Sequence, residues 1–420
     1  MKTKNTLAFL TITLLLLSGL TTNFAQSIWT GNTNTNWSTV SNWSPALIPA
    51  EDEDILILAG CSNYPVINNT QIIKSLTIDP NAIITQNGGL IRVDGGETSI
   101  SGSLNQIGGI LETDDLTVNT GGLLSIGITT SSGPTLDVSG NFKNYSTVIL
   151  NCGDVTLRGS VENFVDGDLS IEGATIISLG HDVKNKASMS ISSGGLFLKK
   201  ADGSNIDKKI EIDGGIFTQT GGTVSSKDME LKNSGTYNQS DGELQISHDL
   251  KVNEGTTFNS TGGTVHFTGN AGGGSYFKGN VKFHNVFIND GADPKFDNNG
   301  DDVTIKISGN FTNNNANMNE IEDATFIFNI TGDQTIYSAV IPTPDDYEET
   351  TFGTLIIDKP SGALTLLSDI AVDDVFTPTQ GYLDLNGNTL FVDGSEYTGP
   401  LPVELSAFSA VTLENGVKLC

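Results

Sequence analysis

Gly215-Ile-Phe-Thr-Gln-Thr-Gly-Gly222, Gly235-Thr-Tyr-Asn-Gln-Ser-Asp-Gly242 and Gly255-Thr-Thr-Phe-Asn-Ser-Thr-Gly262 are the stretches that decide the fold. They begin twenty residues apart, and Gly195 extends the series backwards. Other columns keep the same register: Lys199, Gln219, Gln239 and Asn259; Asp213, Asn233 and Asn253; Phe197, Phe217 and Tyr237; Gly222, Gly242 and Gly262. An earlier copy of the spacing relates Gly88-Gly89-Leu90-Ile91 to Gly108-Gly109-Ile110-Leu111. Within each unit the pattern alternates, as in Ile210-Glu211-Ile212, Met229-Glu230-Leu231 and Leu250-Lys251-Val252. Such period-two runs of three to five residues, punctuated by Gly, Asn and Asp, read as short half-buried strands. No sustained helical stripe follows residue 25.

Strands this short cannot hold a sheet alone, but a twenty-residue unit can be one coil of a stack in which each coil pairs with the next. The expectation is therefore an all-β chain, a parallel β-solenoid (β-helix) with coils of about twenty residues. Like residues then stack at the ~4.8 Å strand spacing. Asn and Gln amides can hydrogen-bond along the stack, and aromatic rings can pack within it. Roughly fifteen coils would make a rod on the order of 70 Å long. An ordinary β-sandwich is the alternative, but it does not normally keep a fixed register over several units. The expected organisation is a signal peptide at 1–25, an N-terminal cap region at 26–80, regular solenoid repeats at 81–270, a looser solenoid or β-module at 271–398, and at 399–420 a linker with the truncated start of a β-sandwich or sorting module.

Residues 1–25 carry Lys2 and Lys4, then the apolar run Leu7–Leu17, then small and polar residues ending at Ala25. This is a secretory signal pattern, and the run is shorter than the ~20 residues needed to span a bilayer. Cleavage after Ala25 would remove two lysines and no acid, taking the formal charge of the 420-residue chain from −28 to −30. Against 49 acids stand 21 basic residues, of which only Arg92 and Arg158 are arginines. Such a balance disfavours nucleic acid as a partner, and it favours solubility and divalent cations. No integral membrane segment is expected after cleavage.

The start of the mature chain, Ile28-Trp29-Thr30-Gly31, Asn36-Trp37-Ser38, Asn42-Trp43-Ser44, Ile48-Pro49, Glu51–Asp54 and Ile55–Leu58, resembles the opening of large secreted repeat proteins of the Bacteroidetes type. Ala324–Ile336, Phe352–Ile357 and Gly381–Leu390 are similar to the recurring strand units of that group. Leu401-Pro402-Val403-Glu404-Leu405-Ser406-Ala407-Phe408 resembles the segment opening the β-sandwich module ahead of a type IX secretion sorting domain. The departure is at Cys420, where the chain stops in the middle of the expected strand, so a truncation before the sorting domain is expected. The resemblance implies a secreted or outer-cell-surface protein of adhesive or structural type, meeting extracellular or cell-surface glycans or proteins. It transfers no catalytic residue.

Motifs of catalysis are missing: there is no His-Glu-x-x-His, Gly-x-Ser-x-Gly or phosphate loop. His181 and His248 each occupy a turn before a polar-apolar-polar strand start, as do Gly140 and Gly309, which favours structural roles for them. Paired acids such as Asp114-Asp115, Asp301-Asp302 and Asp373-Asp374 read as solvated turns. No cofactor is expected beyond a possible structural calcium, for which Asp297, Asn299 and Asp301 offer hard oxygens at alternate positions without completing an EF-hand. Trp29, Trp37 and Trp43 read as a cap over the open end of the solenoid, with a glycan-stacking platform as the alternative. Cys61 and Cys152 lie too many coils apart to bridge and are expected as free, buried thiols. A non-catalytic stalk or adhesin is the first expectation. A solenoid polysaccharide lyase or glycoside hydrolase is the second, and a glycan-binding module using the tryptophans the third.

Overall fold

The computed structural model describes residues 26–127, 133–269, 276–294, 296, 303–316, 324–340 and 352–399, and the backbone of Ala410–Leu413 and Gly416–Leu419. Residues 1–25, expected as a signal peptide, the calcium candidates Asp297, Asn299 and Asp301, and the Leu401–Phe408 segment lie outside the described residues.

Alternation drives the architecture. In Ile210-Glu211-Ile212 and Met229-Glu230-Leu231 the apolar residues are fully buried, while the acid between them points outward. A strand of this kind hides one row of side chains only if its neighbours close round it. The chain does so by turning three times per coil and pairing each strand with its equivalent one coil on. The result is a parallel β-solenoid of about 14 turns. At the parallel-strand spacing this is about 60 Å of rod.

Each coil presents three faces, in the order first, second, third along the chain. The first is built from Ile83–Gln86, Ser103–Gln106, Leu123–Ile126, Thr147–Leu150 and onward. The second holds residues 90–93, 110–113, Thr135–Val138 and Asp154–Leu157. The third holds residues 97–100, 115–118, Phe142–Asn144, Val161–Asn163 and Val183–Asn185. Parallel pairing is not confined to 81–270. It begins with Ser27–Trp29 on Asp54–Ile57 and continues through Ile370–Asp384 on Leu390–Val392. Ala410–Leu413 and Gly416–Leu419 form a separate antiparallel hairpin.

The twenty-residue register needs correction in detail. Ile216 to Gln219 do stack on Thr236 to Gln239, and Leu90 stacks on Ile110, at the expected spacing. Gly195 and Phe197, however, lie on the second face against Thr223 and Ser225, while Phe217 sits on Met189 of the first face. Asn259 pairs with Asn238 rather than with Gln239. Coil steps vary from Ile100 to Val118 up to Gln334 to Leu364. Extra residues leave at corners, as between Lys199 and Lys209. Cross-coil hydrogen bonding fixes the strands but not the length of the turns between them, so an unbroken period does not survive.

Two polar ladders run inside the core. Asn144 Nδ2 donates to Asn163 Oδ1 at 2.8 Å, and Asn163 Nδ2 to Asn185 Oδ1 at 2.8 Å, all three residues being buried. At the corner between first and second faces, Gln86, Gln106, Gln219 and Gln239 each reach the carbonyl of the glycine three residues on and a second carbonyl on the next coil. That glycine has positive φ: Gly89, Gly109, Gly222 and Gly242 lie between +67° and +84°. A Cβ on Gly242 would also lie 2.5 Å from the Gly222 carbonyl oxygen, so the corner excludes side chains for two reasons. The next member is Gly263, not Gly262. The expected aromatic stack is present as Phe217, Tyr237, Phe258 and Phe283, with centroid separations of 4.8 to 5.6 Å.

Candidate functional site

The three tryptophans are mutually packed, with centroids 4.6 to 6.1 Å apart, and are exposed by only 0%, 4% and 3%. Trp29 Nε1 donates to Asn63 O and Trp43 Nε1 to Trp37 O, both at 2.8 Å. Buried Asn42 ties the surrounding loop by accepting from Thr33 and Asn34 backbone nitrogens. No ring face is free for a sugar, which corrects the glycan-platform alternative for Trp29, Trp37 and Trp43: at the end of a solenoid these rings cover the open core. Cys61 and Cys152 form no disulfide among the described residues, and both are half-buried rather than buried. Burial raises the Cys61 thiol above its usual range.

Many Asp and Asn residues prove to be structural in a way that spacing did not reveal. At the corner before the third face, Asp115, Asn141, Asp182 and Asp228 each accept the backbone N–H of the equivalent residue one coil on, at Asn141, Ser160, Lys209 and Asp249. In later coils Asn285, Asn310, Asp333 and Asp369 do the same for Asn310, Thr335, Ala363 and Thr389. Asp114 is not a solvated turn either, since it accepts from Gly95 N and Ser139 Oγ. The Asp carboxylate or Asn amide oxygen takes up a corner N–H that the strand ladders leave without a partner.

The outward surface of the third face carries a charge ladder: Lys143, Glu162, Lys184, Glu211, Glu230 and Lys251 on successive coils. Its centre is Glu211, with a side chain only 9% exposed and Lys184, Lys209 and Lys232 at 2.9 to 3.1 Å. Burial alone would raise its carboxyl; hydrogen bonds from the three ammonium groups reverse this and hold it at about 2. Both arginines serve the second face, Arg92 bridging to Glu112 and Arg158 to Asp137 one coil away. Three histidines also join neighbouring coils: His248 to Asp228, His266 to Glu243 and Asn289, and His284 to Ser308. His181 is exposed at its turn. Lys359 is fully buried, donating to Gln334 Oε1 at 2.6 Å, and burial pushes its ammonium down to about 8.

Three lysines without an ion pair gather in one place. A cleft of about 530 Å³ opens on the first face where residues 257–259, 278–282 and 303–306 meet. Lys278, Lys282 and Lys306 line it above Phe258, Phe277 and Val281. Lys282 and Lys306 are direct neighbours across adjacent coils. None of the three has an acidic partner among the described residues. Like charges stacked at this distance are destabilising. The volume lies within the range of small-ligand sites. A sequence signal existed for this cleft: residues 255–289 contain no Asp or Glu in a chain that has 49.

The fold and its faces define a parallel β-solenoid with, among the described residues, a lysine-lined cleft on its first face. No family model matches the chain, and no curated protein or solved structure matches it either. Among the described residues no helix is long and apolar enough to cross a membrane.

Proposed function

We propose that this chain is an exported, surface-displayed structural repeat protein, a stalk or adhesin without catalytic activity, whose lysine cleft holds the anionic groups of an extracellular glycan. The cleft carries the reading. Three ammonium groups with no acidic partner among the described residues, over an apolar floor, suit a sugar ring bearing carboxylate or sulfate, because each anion relieves the Lys282–Lys306 repulsion. Export is supported by the leader pattern at 1–25 and by the acidic surface, and the surface role by the resemblance to secreted repeat proteins of the Bacteroidetes type. The non-catalytic reading is supported by the engagement of the third-face acids and corner Asx residues in ion pairs and backbone caps.

The second reading is a polysaccharide lyase, in which a cleft lysine would take the proton alpha to a uronate carboxylate. The cleft that favours binding also favours this. Titration calorimetry with anionic and neutral polysaccharides tests the first reading. Binding to the anionic series only, weakened by salt and lost by at least tenfold in K282E/K306E, is expected. Equal binding of neutral glycans, or none of either kind, refutes it. Appearance of an unsaturated uronate chromophore would overturn the non-catalytic assignment in favour of elimination.

A further inference from the structure

We propose that Asp228, His248 and Asp249 form a binding site for one divalent transition-metal ion of the zinc class. The three residues meet at the corner leading into the third face, on consecutive coils, with their ligand atoms within 4.8 Å of one another. His248 Nδ1 lies 2.9 Å from Asp228 Oδ1 and 3.1 Å from Asp249 Oδ1. A cation about 2.0–2.2 Å from each donor requires donor separations of about 3–3.5 Å, which these are close to.

Asp249 supplies the observation that points to a ligand. It is 5% exposed, and its Oδ1 has no hydrogen-bond partner. Equivalent corner residues Asp115, Asn141, Asp182 and Asp228 each accept a backbone N–H from the next coil. Asp249 stands in the same column; its counterpart one coil on lies outside the described residues, and among those described its Oδ1 accepts no hydrogen bond. His248 cannot satisfy both carboxylates, because Nδ1 carries one proton at most and Asp228 is in line for it. With only that proton available, one buried acceptor stays empty; a cation serves both carboxylates and the imidazole together.

Both carboxylates are already oriented by other groups, as ligands of a metal usually are. Asp228 accepts Asp249 N–H at 2.9 Å, and Asp249 Oδ2 is held by Lys251 Nζ at 2.8 Å. Lys251 also limits the local negative charge, leaving one net charge for the trio when the imidazole is neutral. One nitrogen and two oxygens suit Zn²⁺ or a neighbouring first-row ion; Ca²⁺ takes six to eight oxygens, which this corner does not offer. Asp228 and His248 remain about 30% exposed, so an ion can enter from solvent and keep water at its remaining positions. The site is separate from the lysine cleft, and neither proposal rests on the other.

The test is calorimetric titration of the metal-stripped chain, in a C61S/C152S background that removes thiol competition, with ZnCl₂ and separately CaCl₂. One Zn²⁺ per chain is expected, with Ca²⁺ at least a hundredfold weaker. H248A and D249N should each weaken Zn²⁺ binding by tenfold or more, whereas H266A, which changes a histidine paired elsewhere, should leave it within twofold. Far-UV circular dichroism establishes that each variant is folded, and the milder H248Q serves if H248A is not. Absence of Zn²⁺ binding below millimolar concentration, a loss under tenfold in H248A or D249N, or equal affinity for Ca²⁺ overturns the proposal.

Discussion

Replacing Asn163 with Ala cuts the amide ladder at its centre. Asn163 Oδ1 accepts from Asn144 at 2.8 Å, and its Nδ2 donates to Asn185 Oδ1 at 2.8 Å and to Ser188 O at 2.6 Å. At about 1 kcal/mol net for each buried bond, the three together contribute about 3 kcal/mol. Asn144 retains a bond to Asp168 O, and Asn185 retains one from Ala187 N, so neither amide is fully orphaned. The void left by the carboxamide adds about 1 kcal/mol. A loss of about 3–5 kcal/mol is therefore expected. Asn163→Asp keeps the shape but cannot donate, and it turns an anionic oxygen toward Asn185 Oδ1 or Ser188 O, so its cost should equal or exceed that of Ala. Because a solenoid is stabilised coil by coil, the assay is native-state hydrogen exchange read over 142–191, with Glu162→Ala on the outer surface as the control expected to cost under about 1 kcal/mol. A change below 1 kcal/mol in Asn163→Ala, or an Asp variant as stable as the parent, would refute the view that the amide ladder holds these coils in register.

Glu211→Gln tests the ion cluster through its pH dependence. The folded carboxyl, at about 2 against an ordinary 4.5, contributes stability that is complete above pH 4.5 and lost as pH falls toward 2. That shift corresponds to about 3 kcal/mol, so the variant should lose about that much at pH 6 in urea titrations and nearly nothing at pH 2; parallel curves at both pH values would contradict it. Gly242→Ala should destabilise by at least about 2 kcal/mol, since φ is +84° and the new methyl meets the Gly222 carbonyl oxygen. Gly255→Ala has positive φ but open space, and should cost less; equal melting temperatures for the two variants would remove the cross-coil clash from the explanation.

The solenoid was legible because its cause is local. Ile210-Glu211-Ile212 alternates whatever surrounds it, and glycine at a positive-φ corner leaves a mark wherever the chain turns. The stack 216–219 on 236–239 follows directly from the repeated Gln and Gly. The assignment of Gly195 and Phe197 to the same column failed because the excursion between Lys199 and Lys209 shifts the count without disturbing any strand pair. The turn position of His248 points to a structural role, and His248 does bond its neighbour Asp228; what the spacing does not show is Asp249 bringing an unsatisfied oxygen to the same point.

By itself the sequence determined the all-β class, the parallel stacking, the presence of polar and aromatic ladders, and the capping position of the tryptophans, because each depends on alternation, backbone permissiveness or the end of a repeat. Only the tertiary structure decided which residues share a face and which charges meet. Coil length varies at the corners, so residues 18 to 30 apart become neighbours, and no fixed period announces that Lys282 lies beside Lys306 or that three lysines close on Glu211. Charge is carried at the tips of side chains, and its consequences depend on distances that strand pairing sets only once the coils are stacked.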